Sequence, residues 1–568
     1  MAPIDTDSAA GLEDVVFDFV VIGGGTSGLV VANRLTEDPH DPDFDWNFRS
    51  SPQEQLNGRQ LLASQGRTLG GSSAINLGMV IYPSKVGMDA WEKLGNPGWG
   101  WDGVSPYIRK FHKAAAPSDE VRQFFQGMKY DLLDQGSDGP VQVSFGDQYM
   151  PYHGAWLETF KALGYSQVED SIKGAGTGPF VSPGAVDPTT HTRSHAGAAY
   201  FGDSVQARPN LRVVTGALVE KLIFEGGGRS RYGDCRPIIL AAGATHTRHI
   251  LELSGIGNAD LLRSHGIESI VNNPGVGENL QDHGFVSFGY EVADGLPSGD
   301  MARDPVVAAA AMASYQKDGS GPLGMVPLVS AFKPCLDFPP DERAELLQML
   351  EIHNGGEISP GQKKQFDALR QILQDPNEPT AQHILAPFQI LPREGPSPKG
   401  IFGLGHPGFF ISIGSLLSYP FSRGSMHLKS DDPKGSPMID SGILRHPVDL
   451  ELQARHSIWM EKIAETEPMA SLLKTGGARL HTAERLTDVP KAKELSKELA
   501  LSMFHLSGRC AMLLRKDGGV VDSKLRVYGT LNVRVVDASL FPLEPRGNIQ
   551  ATVFAVTEKA ADIIKQNA

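Results

Sequence analysis

Short apolar runs at the two ends and in the middle of the chain have the composition of buried β-strands. Residues 16–22, 238–242 and 531–537 are rich in valine, isoleucine and leucine. Such runs, bounded by glycine or acidic residues, predict buried strands. A helical pattern follows the first run at 29–37, and another follows the last run at 552–564. We therefore predict one parallel sheet whose strands come from distant parts of the chain.

The region between about 300 and 500 shows a different pattern. Apolar and polar residues alternate at 410–417 and 424–428, which is typical of antiparallel strands. Helical patterns accompany these strands at residues 340–352, 360–374 and 448–466. We interpret this region as a second, α+β domain that covers the first.

Length and charge narrow the possible functions. With 568 residues the chain is too long for one compact core, and its 40% hydrophobic and 21% charged residues are ordinary for a globular protein. A formal net charge of -14 argues against nucleic acid as a partner, because the phosphate backbone is itself anionic. We expect a small-molecule substrate, and a monomer or homodimer.

The cysteines and the N-terminal residues carry no sign of metal binding or export. Cys235, Cys335 and Cys510 are too few for a disulfide framework, and their spacing fits no zinc site, so no metal is predicted. The N-terminal residues lack the basic and apolar regions of a signal peptide. No apolar stretch reaches the ~18 residues of a membrane span. We expect a cytoplasmic protein without membrane contact, with secretion left open.

The most informative short motif is a glycine loop directly after the first predicted strand. Gly23, Gly25 and Gly28 have the spacing G-x-G-x-x-G and precede a predicted helix. In dinucleotide-binding loops the first glycine permits a tight turn, the second lets a pyrophosphate approach the backbone, and the third allows helix and strand to pack closely. The helix N-terminus then directs free N–H groups at the phosphates. The motif predicts a dinucleotide-binding oxidoreductase.

One part of this motif is missing. The loop normally works with an acid about 20 residues further on, at the end of a second strand, which binds the ribose. Residues 38–45 hold two prolines and four acids, a composition that does not form a central strand. We therefore predict that Asp38, Asp41 and Asp43 lie on a loop.

Further motifs give the chain a family resemblance. Residues 66–79 form a dense cluster of small residues, and residues 98–102 read Gly-Trp-Gly-Trp-Asp. Other blocks follow in order at residues 243–257, 275–283, 505–512 and 547–550. Together and in this order, the blocks resemble the glucose–methanol–choline (GMC) flavoenzyme family, and its fungal members in style.

This resemblance implies an FAD-dependent oxidase or dehydrogenase that oxidises the CH–OH group of a small alcohol, such as a secondary metabolite, by hydride transfer to flavin. The implied fold is a Rossmann-like α/β FAD-binding domain of GMC type plus an α+β substrate domain with an antiparallel sheet. The FAD domain, with interleaved substrate-domain segments, is expected at residues 14–295, and the substrate-binding cap mainly at 296–500. Residues 501–568 are expected to return to the FAD domain and to carry the catalytic pair.

The resemblance also assigns site residues. His505 matches the family histidine that takes the hydroxyl proton, and Asn548 matches its partner, which is His or Asn in the family. A neutral imidazole with a pKa near ~6.5 suits proton abstraction at neutral pH. His283, in the Gln-Asp-His segment, is interpreted as structural. The positions that match cofactor contacts are Gly23, Gly25, Thr26, Ser27, Gly28, Leu69, Ser72, Asn76, Met79, Val219, Asp537, Ala538 and Ile549.

Two segments that the family usually has are missing from the FAD domain. A strand ending in Leu-Glu-Ala-Gly and a long loop normally precede the Asp-Trp-Asn-Phe segment, which here is residues 45–48. A strand and hairpin normally precede the strand at 238–242. Either coding segments were dropped from the translated sequence of an intact enzyme, or the protein is shortened and binds FAD poorly. Two other functions therefore stay open: a non-redox cyclase or dehydratase on the GMC fold, and a flavin-free shortened remnant.

Overall fold

The fold is known from a computed structural model, which describes residues 17–35, 45–167, 170–225, 229–230, 237–324, 329–335, 338–353 and 358–566. The predicted loop with Asp38, Asp41 and Asp43 lies outside these residues, and so does Cys235. Among the described residues, no helix is long and apolar enough to cross a membrane.

The described chain contains helices and strands throughout its length. In chain order, helices α1 to α17 span Thr26–Leu35, Lys85–Lys93, Trp101–Lys110, Asp119–Phe124, Pro151–Ala162, Ala196–Tyr200, Asp203–Gln206, Gly243–Leu253, Ala259–Ser264, Pro305–Asp318, Pro340–His353, Pro360–Leu373, Pro398–Phe402, Pro447–Glu465, Met469–Leu472, Val489–Leu499 and Gln550–Gln566. Strands β1 to β20 span Val20–Ile22, Phe48–Arg49, Leu62–Ala63, His112–Ala114, Val141–Val143, Gly178–Val181, Phe224–Glu225, Arg229–Ser230, Ile238–Leu240, Ile256–Gly257, Val271–Asn272, Gly284–Glu291, Val329–Lys333, Ala381–Ala386, Phe410–Leu417, Ser425–His427, Met438–Asp440, Arg479–Leu480, Leu501–Ser502 and Val533–Val535.

The predicted parallel sheet is present and takes its strands from both ends and the middle of the chain. The strand order is β1-β9-β20, with Val20 opposite Ile238 and Ile238 opposite Val533. Helix α1 packs against β1, and helix α17 packs against α1. Strand β1 pairs with β9 alone among the described residues, so its second edge has no described strand beside it.

The second sheet is antiparallel, as predicted, but it recruits strands from outside residues 300–500. Its order is β18-β12-β15-β14-β13-β6, and β19 also pairs with β12. Strands β6 and β12 precede residue 300. The alternation pattern missed β12 because seven of its eight residues are buried, so both of its faces are covered by protein. Helix α14 packs on β15 and β12 and covers one face.

A buried charge network joins helix α8 to strand β16. Arg248 and Glu252, one turn apart in α8, are both buried and form an ion pair of 2.8 Å. His427 donates to Glu252 Oε1 at 2.7 Å and to Glu278 Oε1 at 3.1 Å. Burial lowers the pKa of His427, but the hydrogen bonds to the two carboxylates outweigh it and raise the pKa to about 9. His427 is therefore a cation at neutral pH.

We expect His427→Gln to destabilise the protein at pH 7 but not at pH 10. A histidine with a raised folded-state pKa adds stability that is fully present below its unfolded pKa of ~6.5 and is lost as pH rises through about 9. Because 55% of the Glu278 side chain is exposed, solvent weakens its interaction with His427. The free energy of unfolding at pH 7 should therefore fall by about 1–2 kcal/mol. Urea unfolding of both proteins at the two pH values measures this difference. An equal loss at both would show that the charge of His427 does not stabilise the fold.

Candidate functional site

A cavity of about 2710 Å³ lies between the glycine loop, the C-terminal segment and the antiparallel sheet. Every predicted site residue lines this cavity except Gly28, which lies behind the loop. The fold thus brings together side chains that are more than 500 residues apart in the chain, from Gly23 to Ile549.

The geometry of the glycine loop explains its three glycines separately. Gly23 has φ +119°, and a Cβ there would lie 2.3 Å from the Ala241 carbonyl oxygen. A Cβ on Gly28 would lie 1.9 Å from the Gly23 carbonyl oxygen, so helix α1 could not start so close to the loop. Around Gly25 the nearest heavy atom to such a Cβ is 3.8 Å away, on Gly71. Gly25 therefore leaves free a space that the protein itself does not fill.

The cluster of small residues after position 66 supports this loop. The Gly70 amide donates to the Gly24 carbonyl at 2.9 Å, and Thr26 Oγ1 donates to the Gly70 carbonyl at 3.2 Å. Ser72 Oγ accepts from the Gly66 amide at 3.2 Å. These bonds hold two loops together at the start of helix α1, with Ser27 buried behind them and Leu69 at the cavity wall.

Asn76 connects the small-residue cluster to the C-terminal helix. Its Oδ1 accepts from the Gly78 amide at 2.9 Å, and its amide nitrogen donates to Gln550 at the start of α17. Asp537 is buried and accepts from the Ser539 amide at 2.9 Å. The cavity-lining residues Met79, Ala538 and Ile549 are also buried.

These features fit the FAD that the family resemblance implies. The space at Gly25 and the N-terminus of the ten-residue helix α1 together form an anion cradle for a pyrophosphate. Val219, which the family resemblance assigns to the adenosine end, is 37% exposed and lies in a stretch without helix or strand. Asp45 lines the cavity, but its carboxylate already accepts hydrogen bonds from Ser64 Oγ, the Gln65 amide and the Asn47 amide.

A wall of aromatic and cationic side chains near the start of the cavity was not predicted from the sequence. The Trp46 ring lies 4.4 Å from the His246 ring, and the Arg67 guanidinium stacks over Trp46 at 4.8 Å. All three line the cavity. Trp46 lies in the Asp-Trp-Asn-Phe segment, which was the sequence signal that could have indicated this wall.

The segment Gln281-Asp282-His283 holds the loop that carries His505. Gln281 and Ser507 exchange backbone hydrogen bonds of 3.0–3.1 Å, and the Met503 amide donates to the His283 carbonyl at 3.1 Å. Asp282 Oδ1 accepts from the His505 amide at 3.0 Å. The backbone of His505 is therefore fixed on both sides by a segment that lies more than 200 residues earlier in the chain.

Backbone strain marks the residue before His505. Phe504 has φ +62°, which is rare for a bulky side chain. Its amide donates to Ser502 Oγ at 2.9 Å, and this bond helps to hold the conformation. Strain of this kind is found mainly at functional sites, where the surrounding structure maintains it.

His505 and Asn548 meet at the cavity wall, as the family resemblance implies. Asn548 Nδ2 lies 3.3 Å from His505 Nε2, and both residues line the cavity. Burial, together with the neighbouring His283 ring, lowers the pKa of His505 well below its ordinary value. The His505 ring is therefore neutral at neutral pH and has one nitrogen lone pair to offer.

His283, interpreted above as structural, contacts His505 directly. The two Nδ1 atoms are 2.8 Å apart and the rings are perpendicular. Glu544, which the sequence did not single out, is buried beside them, with Oε1 3.6 Å from His283 Nδ1. The Gln-Asp-His segment was a signal for His283, but no spacing rule predicts a partner 222 residues away.

The half of the cavity next to His505 is largely apolar. Its walls come from the antiparallel sheet and from the loops beside it. The apolar residues concerned are Phe285, Ile384, Ala386, Phe388, Ile390, Leu501, Met503 and Phe504.

The comparisons with known proteins agree on one family. Models described as GMC oxidoreductase match residues 17–285 and 420–557. Dehydrogenase citC of Monascus ruber is 30% identical over 617 aligned positions, which cover 97% of this chain and 96% of that protein. That alignment is longer than the 568 residues of the chain, so the relative carries residues that this chain lacks.

Solved structures agree in fold over nearly the whole chain. An FAD-dependent oxidoreductase from Chaetomium thermophilum is 27% identical with a TM-score of 0.86, covering 97% of this chain and 99% of that one. A fungal aryl-alcohol oxidase is 26% identical with a TM-score of 0.81, at the same coverage. The chain therefore belongs to the GMC oxidoreductase family, and FAD is its cofactor.

Proposed function

We propose that this oxidoreductase oxidises the CH–OH group of a small, largely apolar alcohol, with His505 as the catalytic base. The observation that carries the proposal is the position of His505 Nε2, which lies at the cavity wall 3.3 Å from the Asn548 amide. An alcohol is a poor hydride donor until its hydroxyl proton is drawn away, and a neutral imidazole at the right distance can take that proton.

Each residue of the pair has a separate role in this proposal. The alcohol hydroxyl takes the place of the Asn548 amide at His505 Nε2, which accepts the hydroxyl proton, and the Asn548 amide then donates to the alcohol oxygen without competing for the proton. FAD, when bound, supplies the hydride acceptor. An apolar alcohol bound against the apolar cavity walls would displace water from the pair, which strengthens the hydrogen bonds to the alcohol oxygen.

The walls of the cavity support the choice of an apolar alcohol. Phe285, Ile384, Phe388 and Leu501 offer carbon surface in the cavity that His505 also lines. Burial of an aromatic ring against such surface contributes about 1.5–3 kcal/mol. A polyol would instead lose hydrogen bonds to water there. The similarity to an enzyme described as an aryl-alcohol oxidase agrees with this choice.

We expect benzyl-type alcohols to be oxidised with a kcat/KM at least about tenfold higher than glycerol or glucose, because ~1.4 kcal/mol of extra apolar burial corresponds to that factor. A steady-state series of aryl, alkyl and polyhydroxylated alcohols, with oxygen and with an artificial electron acceptor, measures the order. The variant Phe388→Asn removes apolar surface from the cavity wall, so it should reduce the difference in kcat/KM between benzyl-type alcohols and polyols. A higher kcat/KM for the polyols would reject the apolar substrate class.

A further inference from the structure

The rings of His283 and His505 are in direct contact through their Nδ1 atoms. The Nδ1 atoms of the two rings are 2.8 Å apart, so one proton lies between them. On its other side His283 Nε2 lies 3.2 Å from the Ser418 carbonyl oxygen. On the far side of His505, Nε2 lies 3.3 Å from the Asn548 amide nitrogen.

The hydrogen bonds at the two ends of this chain favour one arrangement of protons. A carbonyl oxygen only accepts, so His283 Nε2 carries a proton and donates to Ser418. A neutral imidazole carries one N–H, so His283 Nδ1 is a lone pair, and the proton between the rings belongs to His505 Nδ1. The lone pair of His505 is then on Nε2, where the Asn548 amide can donate to it.

We propose that His283 is a positioning residue, which holds His505 in the tautomer whose lone pair is on Nε2, the nitrogen at the cavity wall where the alcohol binds. This inference rests on the proposed function, since it assumes that His505 Nε2 takes the hydroxyl proton. An imidazole without this partner is free to place its proton on Nε2, and that tautomer cannot act as a base at the cavity wall. The contact also fixes the ring orientation.

The surroundings of His283 agree with a neutral ring whose Nδ1 accepts. Burial lowers the pKa of His283 to about 4, against the opposing effect of the Ser418 and Pro545 carbonyls. Glu544 Oε1 is 3.6 Å from Nδ1, too far for a hydrogen bond, so its carboxyl does not compete for the lone pair. Burial also raises the pKa of Glu544 well above its ordinary value, which favours the neutral acid.

The same three side chains have ligand atoms within 4.8 Å of one another, which is close enough for a metal ion. The separation of the two Nδ1 atoms, 2.8 Å, is that of a hydrogen bond. Two nitrogen ligands on a tetrahedral zinc ion would be about 3.3 Å apart, given Zn–N bonds of about 2.0–2.1 Å. The geometry therefore favours a shared proton at this position.

The kinetic test compares His283→Leu with His283→Asn in the FAD-loaded protein. Asparagine can place Oδ1, an acceptor, near the position of Nδ1, whereas leucine offers none. Anaerobic mixing with an alcohol substrate should show flavin reduction slowed about 10²-fold or more in the leucine variant, since a misprotonated base forfeits general-base catalysis. Flavin reduction in the asparagine variant should be at least about tenfold faster than in the leucine variant.

A matched control separates positioning from folding. His112 is also buried, with Nδ1 2.9 Å from the Ile108 carbonyl oxygen and a pKa lowered to about 4 by burial, but it does not line the cavity. His112→Leu should lower the melting temperature while leaving the rate of flavin reduction unchanged. Equal slowing in both His283 variants, or no slowing in either, would overturn the proposal.

A second readout does not depend on turnover. In ¹⁵N-histidine-labelled protein, with His505→Gln used for assignment, the His505 ring should show its N–H at Nδ1 in the wild type and lose this preference in His283→Leu. If the wild type oxidises no alcohol but shows the Nδ1–H tautomer, the proposed function fails while the role of His283 in setting the tautomer stands. An Nε2–H tautomer in the wild type would overturn the inference by itself.

Discussion

His505→Gln is expected to slow the reduction of the bound flavin by an alcohol about 10²–10⁴-fold, which is the usual contribution of a general base. Glutamine keeps a polar group of similar size near Asn548 but cannot accept the hydroxyl proton. The His505 amide donates to Asp282, and the nearby Ser507 exchanges backbone hydrogen bonds with Gln281. Because these bonds do not involve the His505 ring, the fold should survive the change. Stopped-flow absorbance under anaerobic conditions measures the rate directly.

The control for this variant is a buried histidine outside the site. His383 lies in strand β14, and burial lowers its pKa to about 3, yet it does not line the cavity. His383→Gln should reduce flavin at the wild-type rate. A wild-type rate in His505→Gln as well would mean that another group takes the proton and that the central assignment is wrong.

The second large effect is expected at the glycine loop. Alanine at Gly25 should weaken FAD binding, whereas alanine at Gly28 should destabilise the fold. In Gly25→Ala the new methyl group meets no protein atom closer than 3.8 Å, so the free energy of unfolding of the FAD-free protein should change by less than about 0.5 kcal/mol. The methyl group instead occupies the space left for a pyrophosphate. FAD affinity should fall about tenfold or more, equivalent to ~1.4 kcal/mol.

Gly28→Ala should show the opposite behaviour. Its Cβ would lie 1.9 Å from the Gly23 carbonyl oxygen, a backbone atom that cannot move without displacing the loop from strand β1. Overpacking of this kind costs about 1–3 kcal/mol or more, and FAD loss would follow from the distorted loop. Thermal unfolding of the FAD-free variants and FAD titration separate the two cases. Equal destabilisation by both changes would show that Gly25 is also structural.

The sequence predicted the parallel sheet well because its strands are rich in valine, isoleucine and leucine and are followed by glycine or an acid. Strands β1, β9 and β20 all lie within predicted runs. The antiparallel sheet was predicted only in its central part. Its strands β6 and β12 show no alternation because they are covered on both faces, and pairing between strands so far apart in the chain has no local signal.

At the candidate site, the sequence motifs predicted which residues line the cavity but not which side chains contact one another. The family pattern selected His505 and Asn548, which the structure brings to 3.3 Å. It did not reveal that His283 would touch His505, because a histidine next to an aspartate gives no information about a ring 222 residues away. The cavity wall of Trp46, His246 and Arg67 was missed for the same reason, since it forms only when distant loops fold together.

The segments missing from the FAD domain bear on cofactor affinity rather than on the chemistry. The sheet edge at β1 has no described strand beside it, and Val219, which the family resemblance assigns to the adenosine end, is 37% exposed. The space at Gly25 and the contact between His505 and Asn548 are both present. We therefore expect weaker FAD retention during purification than in relatives that carry the additional residues, with turnover restored by added FAD.

The most direct test of the account is the visible absorbance spectrum of the FAD-reconstituted protein, recorded anaerobically before and after addition of an apolar alcohol. We expect the flavin band to bleach while one equivalent of aldehyde or ketone forms per flavin. A protein that takes up no FAD, or one that forms product while the flavin band persists, would contradict it and would point to a flavin-free remnant or to a non-redox enzyme, respectively.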